Sequence, residues 1–142
     1  MKDLLGLLEF LLAPARRVPW RVATLFGVFL GLTLVVGDVI PVTQPLRTAL
    51  GVATCLAAGY VGASRGREFD QGILAVFTAI VIANLVAAAV IVVSSPTALN
   101  SASALFDALD LPLPGMLLLG VPVGTIGAGV AAWRSHRASA AA

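Results

Sequence analysis

The chain has 142 residues, of which 59% are hydrophobic and 11% are charged, and its mean hydropathy is +1.01. A soluble domain carries about 25% charged residues, and a chain this short cannot bury so much apolar surface in a core of its own. These values exclude an ordinary soluble domain and predict an all-α integral membrane protein with the lipid bilayer as its solvent. The formal net charge of +2 gives no reason to expect a nucleic-acid partner.

The first element in chain order is an amphipathic helix over residues 1–14. Its apolar residues follow helical spacing, and Lys2, Gly6 and Glu9 lie on the opposite face. This pattern is typical of a helix that lies in the plane of the membrane interface. Because Glu9 interrupts the apolar stretch and two arginines follow the alanines near Pro14, we interpret the segment as retained rather than as a cleaved signal peptide.

Four apolar stretches follow, each close to the roughly 20 residues that a helix needs to cross about 30 Å of hydrocarbon. Backbone polar groups in lipid must be satisfied within the segment, so each stretch is predicted to be a transmembrane helix. The four predicted spans cover residues 22–40, 46–63, 73–93 and 116–133. Between the third and fourth spans, Leu99, Ala102, Phe106 and Leu109 share one face and predict a short amphipathic helix on the outer surface. The chain is interpreted as a single membrane domain with a basic tail over residues 134–142.

Positive charge predicts the orientation of these spans. Eight of the nine basic residues lie near the termini or between the second and third spans, and only Arg47 lies on the other side. Basic residues favour the cytoplasmic side, so both termini and the 64–72 hairpin are predicted in the cytoplasm, with the chain in the inner or plasma membrane of a cell. The residues predicted to fix this topology and to contact lipid headgroups are Arg16, Arg17, Arg21, Arg65, Arg67 and Arg134.

Small residues recur at four-residue spacing in every span. Lipid provides no hydrophobic drive for helix association, so close approach of backbones must supply the contact. These stripes predict a compact four-helix bundle and leave small-residue faces for further helices. The predicted packing residues are Gly27, Gly31, Gly51, Cys55, Gly59, Ala79, Ala83, Ala87, Gly120 and Gly124.

Two further residues are candidates for an intramembrane polar site or hinge. Asn84 is the most polar side chain near the middle of a span, and we expect it to bond to another helix or, alternatively, to line a solute pathway. Pro122 lies inside the fourth span and predicts a kink, which is either static or a hinge. The single cysteine, Cys55, excludes an internal disulfide and a multi-cysteine metal site.

The sequence contains no visible catalytic, metal or cofactor motif, and no Asp, Glu, Lys, Arg or His lies in the central part of any span. Such residues usually mark proton and ion pathways. The leading interpretation is therefore a non-catalytic accessory, assembly or scaffolding subunit that binds other membrane subunits through helix–helix packing. The alternative is a homo-oligomeric channel or facilitator for a small solute or ion, whose pore is lined by Asn84, threonines and the glycine carbonyls near Pro122. The alanine- and arginine-rich composition favours a prokaryotic source.

Overall fold

The computed structural model describes residues 18–39, 44–94 and 113–140. All regular structure in these ranges is helical, which confirms the all-α prediction for the part of the chain that is described. The four helices are α1 (Trp20–Val39), α2 (Gln44–Gly66), α3 (Phe69–Ser94) and α4 (Leu113–Ala140). The predicted interfacial helix over residues 1–14 and the predicted outer helix after the third span lie outside the described residues.

Three of the helices are long and apolar enough to cross a membrane, which indicates a membrane protein. The qualifying segments are Pro45–Gly66, Phe69–Ser94 and Gly115–Ala140, whereas α1 counts as a shorter apolar helix over Trp20–Val36. These helices extend beyond the predicted spans because intrahelical hydrogen bonds do not stop where an apolar run ends. The 26 residues of α3 give a helix of about 39 Å, longer than the roughly 30 Å of hydrocarbon.

Successive helices run antiparallel, so α1 is parallel to α3 and α2 is parallel to α4. The most extensive packing lies within these two parallel pairs, and the α1–α2 contact is the least extensive of the five main interfaces. Both α2 and α3 contact all three other helices, while α1 and α4 barely meet. The bundle therefore has α2 and α3 in its middle and α1 and α4 at opposite corners.

The interior of the bundle is built largely from small side chains. Ile80 and Val76 are the largest fully buried residues, and alanines account for much of the remaining core. Large apolar side chains instead lie outside, such as Leu118 and Val93, which are 75% and 80% exposed. This distribution is the reverse of that in a soluble protein, where large apolar patches are buried, and it suits a hydrocarbon solvent.

The predicted 64–72 hairpin is a tight connection in which only residues 67 and 68 lie between α2 and α3. Arg67 has a φ of 59°, the left-handed conformation that commonly ends a helix and that glycine usually supplies. Glu68 accepts a hydrogen bond from the side-chain amide of Gln71 at 3.3 Å. Asp70 lies in the first turn of α3, where a negative charge interacts favourably with the helix dipole.

The two ends of the bundle differ in charge. One end, which we call the Arg65 end, contains the α2–α3 connection, the first residues of α1 and the last residues of α4. The other, the Arg47 end, contains the first turn of α2 and the first residues of α4. Among the described arginines, five lie at the Arg65 end and Arg47 alone lies at the other. The five are Arg21, Arg65, Arg67, Arg134 and Arg137.

Candidate functional site

The helices approach most closely toward the Arg65 end, where glycines bring backbones into contact. A Cβ atom built on Gly59 would clash with the carbonyl group of Gly124, and one on Gly72 would lie 2.7 Å from the Gly59 carbonyl oxygen. A Cβ on Gly62 would lie 2.7 Å from the Cβ of Ala75. Glycine is required at these positions for α2, α3 and α4 to pack at this distance, and the bundle is closed here.

The glycines of α1 have the same role against α3. A Cβ on Gly27 would lie 2.8 Å from the Ala79 carbonyl oxygen, and a Cβ on Gly31 would lie 2.8 Å from the Ala83 carbonyl oxygen. Ala87, the third alanine of the α3 stripe, is buried as well. Small residues named from the sequence thus face one another inside this single chain.

Gly120 packs near the middle of the bundle, where a Cβ would lie 2.8 Å from Ile80 Cδ1 and 3.0 Å from the Sγ atom of Cys55. Gly51 differs from these tightly packed glycines. The nearest atom to a Cβ built there is Leu30 Cδ1 at 4.0 Å, so packing between helices gives no reason for glycine at this position. Gly51 faces open space instead.

That space is a cavity of about 310 Å³ among α1, α2 and α4, which we call the outer cavity. Leu30, Cys55 and Gly120 form its deep end and are buried, whereas Val52 and Leu119 at its edge are exposed. The remaining lining residues are Thr33, Leu34, Arg47, Thr48, Gly51, Gly115 and Met116. The cavity is therefore mainly apolar and opens beside exposed apolar residues where α1 and α4 lie apart.

Arg47 supplies the charge of the outer cavity. Its Nη2 atom donates a hydrogen bond to the Leu34 carbonyl oxygen of α1 at 2.7 Å, which holds the guanidinium at the cavity wall. A guanidinium has five N–H donors in a planar fork, so it can bind several acceptors at once. The Thr33 hydroxyl donates to the Phe29 carbonyl oxygen at 2.8 Å, within its own helix.

Asn84 lies in the core of the bundle, next to this cavity. It is 6% exposed, and its Nδ2 atom donates to the Ile80 carbonyl oxygen at 2.8 Å within α3. The same nitrogen contacts the Sδ atom of Met116 on α4 at 3.8 Å, and Met116 lines the cavity. The Oδ1 atom of Asn84 is buried and has no hydrogen-bond partner among the described residues.

Pro122, in contrast, lies on the exposed side of α4, and the helix continues through it. Proline lacks the N–H group that would bond to the carbonyl of Leu118, one turn earlier. Because Asn84 is enclosed and Pro122 is exposed, the structure does not bring these two candidates together in one site.

The basic residues at the Arg65 end contact aromatic side chains. The Nη1 atom of Arg134 donates to the Tyr60 hydroxyl at 3.2 Å and joins α4 to α2. The guanidinium of Arg137 lies over the Trp133 ring, 3.9 Å from its centroid, as in a cation–π contact. Arg16 and Arg17, also predicted to fix topology, lie outside the described residues.

Within residues 18–39, 44–94 and 113–140, no group of three His, Cys, Asp or Glu side chains is arranged to hold a metal ion. In comparisons with known proteins, no family model, no curated protein and no solved structure matches this chain.

The outer cavity was not predicted from the sequence. The one sequence feature that points toward this cavity is Arg47. It is the sole basic residue on its side of the predicted membrane, and it lies within the predicted second span. Gly51 was predicted to pack against another helix with Cys55 and Gly59, and only the arrangement of three helices distinguishes its role from theirs.

Proposed function

We propose that this protein is a non-catalytic accessory or assembly subunit of a membrane complex, which binds other membrane subunits through its helices. The observation that carries the proposal is the closed packing of α2, α3 and α4 toward the Arg65 end. There the Gly59 and Gly124 backbones meet, so residues 18–39, 44–94 and 113–140 of one chain form a cavity that is closed toward this end rather than a path across the membrane.

The buried polar groups support the same proposal. Among the described residues, Thr54 and Asn84 are the buried polar side chains, and neither is an ionisable group. The Thr54 hydroxyl donates to the Leu50 carbonyl oxygen of its own helix at 2.7 Å. Cys55 is then the one titratable side chain among the buried residues that the structure describes, and it has no acidic or basic partner of the kind that catalysis or proton transfer uses within the buried set.

A partner subunit is expected to bind α1 or α4, because these corner helices have the fewest neighbours within the chain. Leu25 on α1 and Leu118 on α4 are 66% and 75% exposed. The glycine stripes of Gly27 and Gly124 face inward, so the partner contact uses larger apolar side chains.

The test is native mass spectrometry of the full chain, extracted gently from its own membranes, combined with site-specific photocrosslinking. A photoreactive residue is placed at Leu25 or Leu118, and a matched control is placed at Leu85 on α3, which is 60% exposed. A defined hetero-complex is expected, whose second polypeptide crosslinks to Leu25 or Leu118 more strongly than to Leu85. A chain that is monomeric in mild extracts and crosslinks only to lipid contradicts the proposal.

The second candidate is a homo-oligomeric facilitator for a small solute. The unpartnered Oδ1 atom of Asn84 favours it, since a buried acceptor without a partner is usually compensated by a ligand or a water molecule. A homogeneous homo-oligomer in the same experiment, with solute flux in liposomes that is lost in Asn84→Ala, would establish this function in place of the first.

A further inference from the structure

We propose that the outer cavity is a binding site for an acidic phospholipid, with one acyl chain in the cavity and the phosphate group on Arg47. The proposal depends on a membrane location but not on the partner subunit proposed above.

The lining selects an apolar occupant. Most of the cavity surface belongs to apolar side chains and glycine, and at about 310 Å³ its volume lies at the lower end of the range for small-molecule sites, roughly 300–1,000 Å³. An apolar cavity does not hold water well, because a water molecule needs two to four polar partners. Left empty, its wall atoms lose the dispersion contacts that a filled cavity provides.

The position of the opening favours a lipid as the occupant of the cavity. Val52 and Leu119 at its edge are 37% and 61% exposed, so the cavity opens beside side chains suited to hydrocarbon rather than to water. An acyl chain of the surrounding bilayer can therefore enter sideways, between α1 and α4, without leaving an apolar environment.

The charge selects an acidic headgroup. Arg47 is in the first turn of α2 and lines the cavity, and its bond to the Leu34 carbonyl oxygen holds the guanidinium at the cavity wall. Arginine binds phosphate with paired, charge-assisted hydrogen bonds. The hydroxyl of Thr48, one residue further along the same turn, is a second polar group in the lining.

The glycines at positions 51 and 115 leave room for larger side chains in the wall of the cavity. A Cβ at Gly51 meets only the far end of Leu30 at 4.0 Å, and a Cβ at Gly115 has no atom within 4 Å. A larger side chain at either position can therefore fill the cavity without separating the helices. Gly129, whose Cβ would lie 3.8 Å from Phe69 Cε2, is a similarly open glycine outside the cavity and serves as the matched control.

The experiment titrates the purified, delipidated full chain with phosphatidylglycerol or with phosphatidylcholine of the same acyl chains, and counts bound lipids by native mass spectrometry. We expect one phosphatidylglycerol per chain, bound at least tenfold more tightly than phosphatidylcholine. Gly51→Leu and Gly115→Leu should each weaken this binding at least tenfold, whereas Gly129→Leu should not change it. Arg47→Gln should retain one lipid per chain but bind the two lipids equally.

Circular dichroism and gel filtration of each variant show whether it is folded, and two independent cavity-filling variants are used so that the result does not depend on one of them. Equal binding of the two lipids by the wild-type chain, or unchanged phosphatidylglycerol binding in folded Gly51→Leu and Gly115→Leu, overturns the proposal. A preference for phosphatidylglycerol that persists in Arg47→Gln overturns the role given to Arg47. Displacement by inorganic phosphate at millimolar concentration would identify a soluble anion, rather than a lipid, as the occupant.

Discussion

Replacing Asn84 with leucine should stabilise the bundle. The two side chains branch at the same atom, although the methyl groups of leucine are larger than the amide group, and Asn84 lies in the core with 6% exposure. The substitution removes Oδ1, which is buried and accepts no hydrogen bond within the part of the chain that the structure describes. An unsatisfied buried acceptor costs about 1–3 kcal/mol, and leucine at this position carries no such cost.

The interactions lost in Asn84→Leu are weak by comparison. The Nδ2 bond goes to the Ile80 carbonyl, which already accepts the helical bond from the backbone of Asn84, so no group is left unsatisfied. The contact with the Met116 sulfur, at 3.8 Å, involves a weak acceptor. Side-chain hydrogen bonds in membrane bundles average about 0.6 kcal/mol. The larger leucine also crowds its neighbours to some extent, so the net gain in the free energy of unfolding is at most about 1 kcal/mol.

The measurement is reversible unfolding in mixed micelles. The chain is titrated with a denaturing detergent, and its helix content is monitored by circular dichroism. Asn84→Ala is the matched control, since it removes the same amide but leaves a cavity. Large-to-alanine changes in a core cost about 2–5 kcal/mol, so the alanine variant should be less stable than the leucine variant by about 2 kcal/mol or more. If Asn84→Leu is less stable than the wild type, Oδ1 has a partner that the bundle alone does not supply, and the reasoning is refuted.

Three further predictions concern the glycines and the charged connection. Gly59→Ala should destabilise the bundle by about 2 kcal/mol in the same unfolding titration, because the new Cβ meets the Gly124 backbone. In the control variant Gly129→Ala the new Cβ meets only Phe69 at 3.8 Å, so this change should be neutral or stabilising by up to about 1 kcal/mol. Equal effects of the two substitutions on the free energy of unfolding would contradict the packing argument. Arg67→Gly should stabilise the chain by about 1–2 kcal/mol, since φ is 59° there and non-glycine residues adopt this conformation at that cost; no increase in the unfolding midpoint would show that the arginine is not strained. Changing Arg65 and Arg67 together to glutamate should lower the fraction of chains with a cytoplasmic 64–72 segment. Compartment-specific reporters fused after residue 142 measure this fraction. An unchanged reporter pattern would contradict the prediction, since it would mean that the other basic residues determine the orientation without Arg65 and Arg67.

The existence of the helices could be predicted from the sequence because hydrophobic length is a local property. Apolar runs bounded by Pro41, Pro45 and Pro114 gave the approximate helices, but not their ends. Residues 64–66 and 69–72 belong to helices although glycine, polar and charged residues make up all of them except Phe69. Tertiary contact and a left-handed Arg67, rather than apolarity, determine where the chain turns.

The partners of each small residue could not be predicted, because a stripe identifies a face but not the helix that it meets. Gly51, Cys55 and Gly59 have identical spacing, yet Gly59 contacts Gly124 while Gly51 faces a cavity. The difference arises because α1 and α4 lie apart, which depends on all four helices at once. Asn84 is recognisable in the sequence as a polar residue in an apolar run, but the absence of a partner for its Oδ1 atom among the described residues depends on three-dimensional distances.

The preference of α1 for α3, and of α2 for α4, has a consequence for synthesis. Gly31 reaches its place against Ala83 only after about 50 further residues have been translated, which at roughly 5–20 residues per second takes about 3–10 s. During that interval the first hairpin has only the α1–α2 interface, the least extensive of the five. A nascent chain that ends at Gly66 lacks the main packing neighbour of both α1 and α2, so these two helices are only loosely joined until the second hairpin has been translated.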